Sequence, residues 1–419
     1  MNLIDEDEVI IKPDPGPKRK VLLLIALCVF FLIIIIAAII IIKKNAPKKL
    51  RVFVNNQEIK IADGFFLYDE EGKPAYVSIE KLASLTKYDF IKGQYLKQEK
   101  NNEEATDKIT CYIQGDKQII GYEEGNRKIY KAGIGNKADI LYFQLSNAIR
   151  NENGNLYIAL VDLNIGYNVI YSYDRNKTNV MSIKTLDYES NRQTEELKKK
   201  KIVPSVSNFK NQKAMLYNML IIQGDNKNYG VTDLSGTKQV IQNMYTSMQF
   251  DDYTKTFIVS DKDKKYGIVD TNNKVLIEFK YDNLELVSYS PLLYRIQQNK
   301  KFGLIDKNGK TIISREFDKI GIENREAGGE IILIKNIGED NLTGVVVSQN
   351  QKYGIVNLKN GEYIVECGLD RIFYKELNNG DIEYYVEANG EEKTLEQFLI
   401  DGSITTVTIP QQFLRKKSD

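Results

Sequence analysis

The chain has 419 residues, and 58 lysines and arginines stand against 57 aspartates and glutamates, a net charge of +1. That balance excludes a dedicated nucleic-acid binder, which needs a net basic face. Histidine and tryptophan are both absent from the composition, which excludes Ser/His/Asp and Cys/His triads and imidazole zinc sites and leaves carboxylate, Lys, Tyr or Cys chemistry.

Residues 1–20 are expected to form a short N-terminal tail. Val21 to Ile42 then run without a charge. Crossing hydrocarbon takes about 20 apolar residues, so 21–42 is expected to be a single transmembrane helix. Lys44, two places before Ala46, speaks against signal-peptide cleavage there. Cys28 follows a large residue, Leu27, inside the run and reads as a lipid-facing apolar residue rather than a lipidation site. Four basic residues (Lys12, Lys18, Arg19, Lys20) precede the run and six (Lys43, Lys44, Lys48, Lys49, Arg51, Lys60) follow it closely. That count favours the C-terminal side inside, but long domains translocate largely regardless of it.

A hairpin is expected in RVFVNNQEIKI, Arg51 to Ile61, where apolar residues alternate on either side of Asn55-Asn56. An internal duplication follows. Tyr76, Ile79 and Leu82 align with Tyr157, Leu160 and Leu163, and Tyr88-Asp-Phe90 aligns with Tyr167-Asn-Val169, the second copy taken as two residues shorter. Each copy reads as strand, short helix from near Ser78 or Ala159, and strand. The pattern resembles the copper amine oxidase N-terminal-like domain, a stalk module of bacterial envelope proteins, over 50–188. The resemblance implies an α+β fold outside the cytoplasm, and with it a cytoplasmic placing of the 1–20 tail. It does not imply copper, because a chain without His lacks the usual copper ligand. Ala132 to Ala138 has the glycine spacing of a dinucleotide loop without a βαβ frame and reads as a plain loop. Cys111 and Cys367 lie in strand-like runs as small apolar residues; with Cys28 they form no Cys-x-x-Cys pattern.

Residues 189–209, with Lys198 to Lys201 and Pro204, read as a solvated linker. From 210 to 390 a second repeat appears. The pairs Tyr229-Gly230, Tyr266-Gly267, Phe302-Gly303 and Tyr353-Gly354 are separated by 37, 36 and 51 residues. Four residues past each aromatic comes Asp233, Asp270, Asp306 or Asn357, and then a turn at Ser235-Gly236, Asn272-Asn273, Asn308-Gly309 or Asn360-Gly361. An apolar run and Tyr281-Asp282, Phe317-Asp318 or the weaker Leu369-Asp370 follow. The runs TFIVSD, LLYRIQ and EIILIK are taken as third strands, and Asn324 to Asn341 as a loop insertion. Asn-Gly between strand-like runs points to a two-residue turn with both residues at positive φ. A period near 36 means stacked units, each too small to bury a core alone. The four copies resemble the WG-repeat family, with Tyr or Phe in place of every Trp. The aromatic before each glycine is expected to be a buried plug, and the turn Asp or Asn a turn former. An EF-hand reading fails, because position twelve from Asp306 is Phe317.

The expected fold class is therefore multidomain: an N-terminal transmembrane helix, an α+β stalk-like domain and an all-β hairpin-repeat domain, with 391–419 as a C-terminal tail. The expected function is a membrane-anchored, single-span, extracytoplasmic binding or scaffolding protein of the cell envelope. Its partner would be cell-wall polymer or an envelope protein. No catalytic residue, cofactor or metal site is assigned. The alternatives are a carboxylate-based cell-wall hydrolase, which needs two converging carboxylates, and a cytoplasm-facing adaptor, which needs the opposite topology.

Overall fold

The computed structural model describes residues 21–22, 25, 28–36, 49–93, 108–115, 118–133, 136–174, 178–199, 212–324, 329–337, 341–376, 382–404 and 406–410. Val52–Tyr173 and Met181–Asp419 form one compact unit; Met1–Arg51 and Asp174–Val180 form another. In the smaller unit, 28–36 are helical and exposed. Among the described residues no helix is long and apolar enough to cross a membrane. Most of the rest of 21–42 lies outside the described residues, as do 1–20.

The expected fold class is corrected by the strand content. The described chain is mostly β, and the helices of the larger unit run only five to fourteen residues. Apolar length in 21–42 satisfies the requirement for a span, but the helical stretch described within it is too short for one. Nor is 50–188 an α+β body with substantial helices. It forms two four-stranded sheets and one five-stranded antiparallel sheet.

Within that part, Asn55 and Asn56 both take positive φ and close the hairpin of Arg51–Val54 with Gln57–Ile59. The duplication is real in space. Pro74–Ser78 leads into α1 (Ile79–Thr86), and Asn155–Ala159 leads through a 3-10 turn into α2 (Leu163–Tyr167). The two strands pair antiparallel with Val77 opposite Ile158. That pairing makes the copies related by a local twofold axis. The motif residues Tyr76, Ile79, Leu82, Tyr157, Leu160 and Leu163 are all buried. Both helices end on a left-handed cap, Lys87 and Asn168, so the copies keep equal length through the cap. Tyr88 and Tyr167 are not equivalents; their rings meet edge to face at 5.5 Å. Instead Thr86 and Tyr167 are equivalent, and their hydroxyls touch at 3.3 Å.

Ala132 and Gly133, and residues 136–138, belong to a strand pair, Lys128–Gly133 with Asn136–Gln144; Ile134 and Gly135 lie outside the described residues. The segment read as a linker begins as α3 (Leu186–Lys199). Its polar sequence hides Glu189, Ser190 and Gln193, which are buried, with Glu189 accepting from Arg192 and Gln193. Residues 200–211 lie outside the described residues.

The repeats build successive antiparallel meanders. The second repeat sheet is Ser247–Asp251, Thr256–Ser260, Tyr266–Asp270 and Val275–Tyr281, in that order. The third is Asn283–Tyr289, Leu292–Gln298, Lys301–Asp306 and Thr311–Phe317. A three-stranded sheet, Met219–Gln223, Tyr229–Asp233 and Gln239–Tyr245, precedes them. A fourth, built on Leu342–Gln349, Lys352–Asn357 and Tyr363–Leu369, follows. Each sequence repeat therefore straddles two sheets: the aromatic-Gly strand and the next one close a sheet, and the chain after Tyr-Asp opens another.

Alternation along each strand feeds two cores. In the second sheet, Phe257, Val259 and Val269 pack toward the first sheet, while Ile258, Ile268 and Ile277 pack with Leu284, Ile296 and Ile305 of the third. Leu293, Leu304 and Ile313 in turn pack with Val345, Val347 and Val356 of the fourth. A sheet buried on both faces is what a unit too small for its own core requires. The EIILIK run is not the strand before Tyr353; Leu342–Gln349 is. The insertion is not a plain loop but carries Ile322–Asn324, Gly329–Ile331 and Leu333–Ile337. Residues 391–410, read as a tail, carry Glu391–Thr394 and α4 (Leu395–Asp401), whose Leu395, Phe398 and Leu399 enter the last core. Residues 411–419 lie outside the described residues.

Candidate functional site

The repeat aromatics come first. Tyr229, Tyr266, Phe302 and Tyr353 are half-buried, not fully buried plugs. Each stands directly opposite the aromatic or leucine of its own outer strand: Tyr245, Tyr281, Phe317 and Leu369. Those partners, at 4 %, 3 %, 1 % and 0 % exposure, are the buried plugs. The glycine after each aromatic sits where the pairing register shifts. A Cβ on Gly230, Gly267, Gly303 or Gly354 would lie 2.5–2.7 Å from a backbone carbonyl of the outer strand. Close backbone approach, not positive φ, is the reason for glycine.

The turns use one device twice and a longer variant of it twice. Asp306 accepts the amides of Asn308 (2.8 Å) and Lys310 (2.9 Å) on one carboxylate oxygen. Its carbonyl accepts from Gly309, which has φ 77°. Asn308 is not at positive φ, so this is a type I turn with a left-handed third residue rather than a two-residue turn. Asp270 repeats it with Asn273 as the left-handed residue. Asp233 and Asn357 cap loops one residue longer.

A second device was not read from the sequence. Lys265, Lys301 and Lys352, each just before an aromatic-Gly pair, bond Asp282, Asp318 and Asp370 of the Tyr-Asp positions. The other oxygen of each Asp accepts the backbone amide of Asn299, Asn350 or Asn389, in the next sheet's hairpin turn. The lysine hydrogen bond, with that amide, holds each carboxyl below the usual range. The recurring spacing of Lys to Asp was the available signal; the first copy has Asn228 and Thr246 there.

Two of the repeat aromatics, Tyr229 and Tyr266, line an open cleft of about 770 Å³. Phe302 and Tyr353 do not. Its walls are the opening strands of the second and third sheets, with Gln212 to Ala214 from the turn that leads into the first. Thr246 and Ser247 hydroxyls both bond the Ser260 hydroxyl, at 2.6 and 2.8 Å. Tyr289 donates to Asp251 (2.8 Å), whose other oxygen takes the Thr254 amide and hydroxyl. Glu285 is paired with Arg295 at 2.5 Å. Asp252 is buried and accepts from Lys213 at 2.9 Å on Oδ1, while its Oδ2 has no hydrogen-bond partner. Asp251, Asp252, Tyr289 and Lys213 lie outside the repeat register, so no periodic signal pointed to them. Among the described residues no group of three acidic or Cys side chains could hold a metal. Cys111 is buried and its thiol is pushed up to about 12 by burial; Cys367 is half-buried and also raised by burial; Cys28 is exposed.

Residues 266–302 and 302–324 match the family model described as WG containing repeat. These are the Tyr266 and Phe302 units, so 266–324 is WG-type repeat sequence, and the match does not extend to 50–188. No curated protein matches the chain. Similar solved structures include the WD40 β-propeller domain of Doa1, 13 % identical over 66 % of this chain and 78 % of that one, with TM-score 0.20. The C-terminal WD40 domain of Sif2 is 10 % identical over 74 % and 84 %, with TM-score 0.23. A putative exported protein from Bacteroides fragilis is 12 % identical over 46 % and 74 %, with TM-score 0.18.

Proposed function

We propose that the protein is a non-catalytic binding or scaffolding protein of the cell envelope, with its repeat sheets on the outer side of the membrane. The cleft is its recognition site, and its partner is cell-wall polymer or an envelope protein. The observation that carries this reading is the placing of Tyr229 and Tyr266 in the cleft wall. Half-buried aromatics beside fixed polar groups suit recognition. The carboxylates support the same reading. Asp251 and Glu285 are engaged as acceptors on both structural partners and ion pairs, an arrangement that fixes a surface rather than moving a proton.

The test is co-sedimentation of the full-length protein, in mild detergent, with purified wall sacculi. Both tyrosines pack against the repeat cores, so the Tyr229→Ala/Tyr266→Ala variant is tested well below its own, lowered, melting temperature, where it is expected to lose sedimentation while still folded. Undiminished sedimentation overturns the cleft as the recognition site. Protease added to wall-stripped cells tests the side of the membrane: digestion of the repeat sheets is expected, and full protection overturns the outward reading.

A further inference from the structure

We infer that the cleft takes an amino sugar with a free primary amine, its ammonium bound by Asp252 and its ring held against the cleft tyrosines. This rests on the reading of the cleft as a recognition site and names the ligand class.

Three features point there. The first is Asp252. At 3 % exposure it lines the cleft, and one of its oxygens has no hydrogen-bond partner. Buried carboxylate oxygens are seldom left so. The terminal torsion of an Asp is soft, so Lys213 and a ligand amine can each take one oxygen. The second is charge. Glu285 shares Arg295 with Glu330, and Asp251 and Asp252 stand against Lys213, so the wall carries an excess of negative charge. That excess suits one ammonium and disfavours phosphate or carboxylate ligands. The third is the remaining lining. Tyr229, Tyr266 and Tyr289 also line it, the Tyr289 ring meeting Tyr253 edge to face at 5.2 Å, and aromatic rings favour both a sugar and a cation. Ser247, Gln249 and Asn283 supply hydrogen-bonding groups for hydroxyls. Lys131, buried in the field of Asp252 and Lys213, has its ammonium pushed down to about 7 by burial, so around neutral pH it only partly competes for the carboxylate.

The test compares a short oligomer of glucosamine with the same oligomer N-acetylated, by calorimetric titration of the full-length protein at neutral pH and low salt. The two share the ring and differ in charge and in the acetyl group, so the salt dependence of the preference is what reads the charge. The free amine is expected to bind about tenfold tighter, the ratio one modest charge contact supplies, and the preference should fall as salt is raised. Asp252→Asn should bring the ratio to about one. Equal binding of the two oligomers by the wild type overturns the amine assignment and leaves the cleft as a recognition site. No binding of either, with sacculi still sedimenting, overturns the sugar. If Asp252→Asn does not fold, the wild-type comparison and its salt dependence decide.

Discussion

Lys301 Nζ lies 2.6 Å from Asp318 Oδ1, and the second oxygen of Asp318 holds the Asn350 amide at 2.8 Å. One carboxylate thus ties the hairpin of one sheet to the turn of the next. Asn350 has φ 53°, a conformation that benefits from a fixed acceptor.

Asp318→Ala should therefore lower the urea midpoint more than Lys301→Met does. Both ionic partners are 43 % exposed, and exposed pairs contribute little, whereas the amide loses its acceptor. The carboxyls of Asp282, Asp318 and Asp370 have folded pKa values below their unfolded ones. Their stabilisation is then present above the unfolded value near 4 and is lost as pH falls through the folded value. Urea midpoints between about pH 5 and pH 3 should fall less steeply for the Asp282→Asn/Asp318→Asn/Asp370→Asn variant. An unchanged slope would remove these pairs from the acid response.

Phe317→Ala should destabilise the repeat sheets by about 3–5 kcal/mol, the cost of removing a buried ring. Phe317 is 1 % exposed in the core shared by the third and fourth sheets. Phe302, half-buried beside it, should cost clearly less on the same change. Limited proteolysis should then show new cuts around Tyr353 in Phe317→Ala, because neighbouring units share that core. Equal midpoints for the two variants would contradict the burial difference.

The register of the four repeats and the halves around Tyr76 and Tyr157 were legible in sequence, because apolar period and turn chemistry are local. Which aromatic is the plug was not. Phe302 and Phe317 look alike in sequence, and only their opposition across a shifted register separates them. The glycine's reason was likewise hidden in the partner strand's carbonyl. Two apolar runs before Tyr353 fit the strand role, and the inserted one was taken. The cleft was invisible, since Lys213, Tyr229, Asp252 and Tyr289 converge from separate elements. A polar run such as 189–199 looks solvated until its Glu189 and Gln193 are found buried together.

Gly303→Ala should cost about 1–3 kcal/mol, the range for overpacking. Its Cβ would sit 2.7 Å from the Ile313 carbonyl oxygen, which is backbone and cannot rotate away. Gly309→Ala, at φ 77° with no backbone atom close, should cost about 1 kcal/mol from conformation alone. Chemical denaturation of both variants checks the order; a harmless Gly303→Ala would mean the outer strand shifts freely.

Lys131 is 1 % exposed, donates to Asn168 Oδ1 at 2.6 Å and lies 4.3 Å from the Phe143 ring centroid. Burial, opposed by Asp252 and aided by Lys213, pushes its pKa down to about 7. Unfolded, it titrates near 10.4. Between these values the unfolded chain holds the extra proton, so stability rises with pH from about 7 upward, by at most about 1.4 kcal/mol per pH unit. Below pH 7 both states are protonated and the buried charge weighs fully on the fold. Cys111, pushed up to about 12 by burial, acts in the opposite sense above its unfolded value near 8.5. The comparison must therefore be with Lys131→Met at each pH. That variant leaves Asn168 Oδ1 without its donor and can lower stability throughout, so the slope is the readout. Urea midpoints between about pH 6.5 and pH 8.5 should rise in the wild type relative to Lys131→Met. Parallel curves would mean that Lys131 stays protonated in the folded protein and that Asp252 offsets its burial.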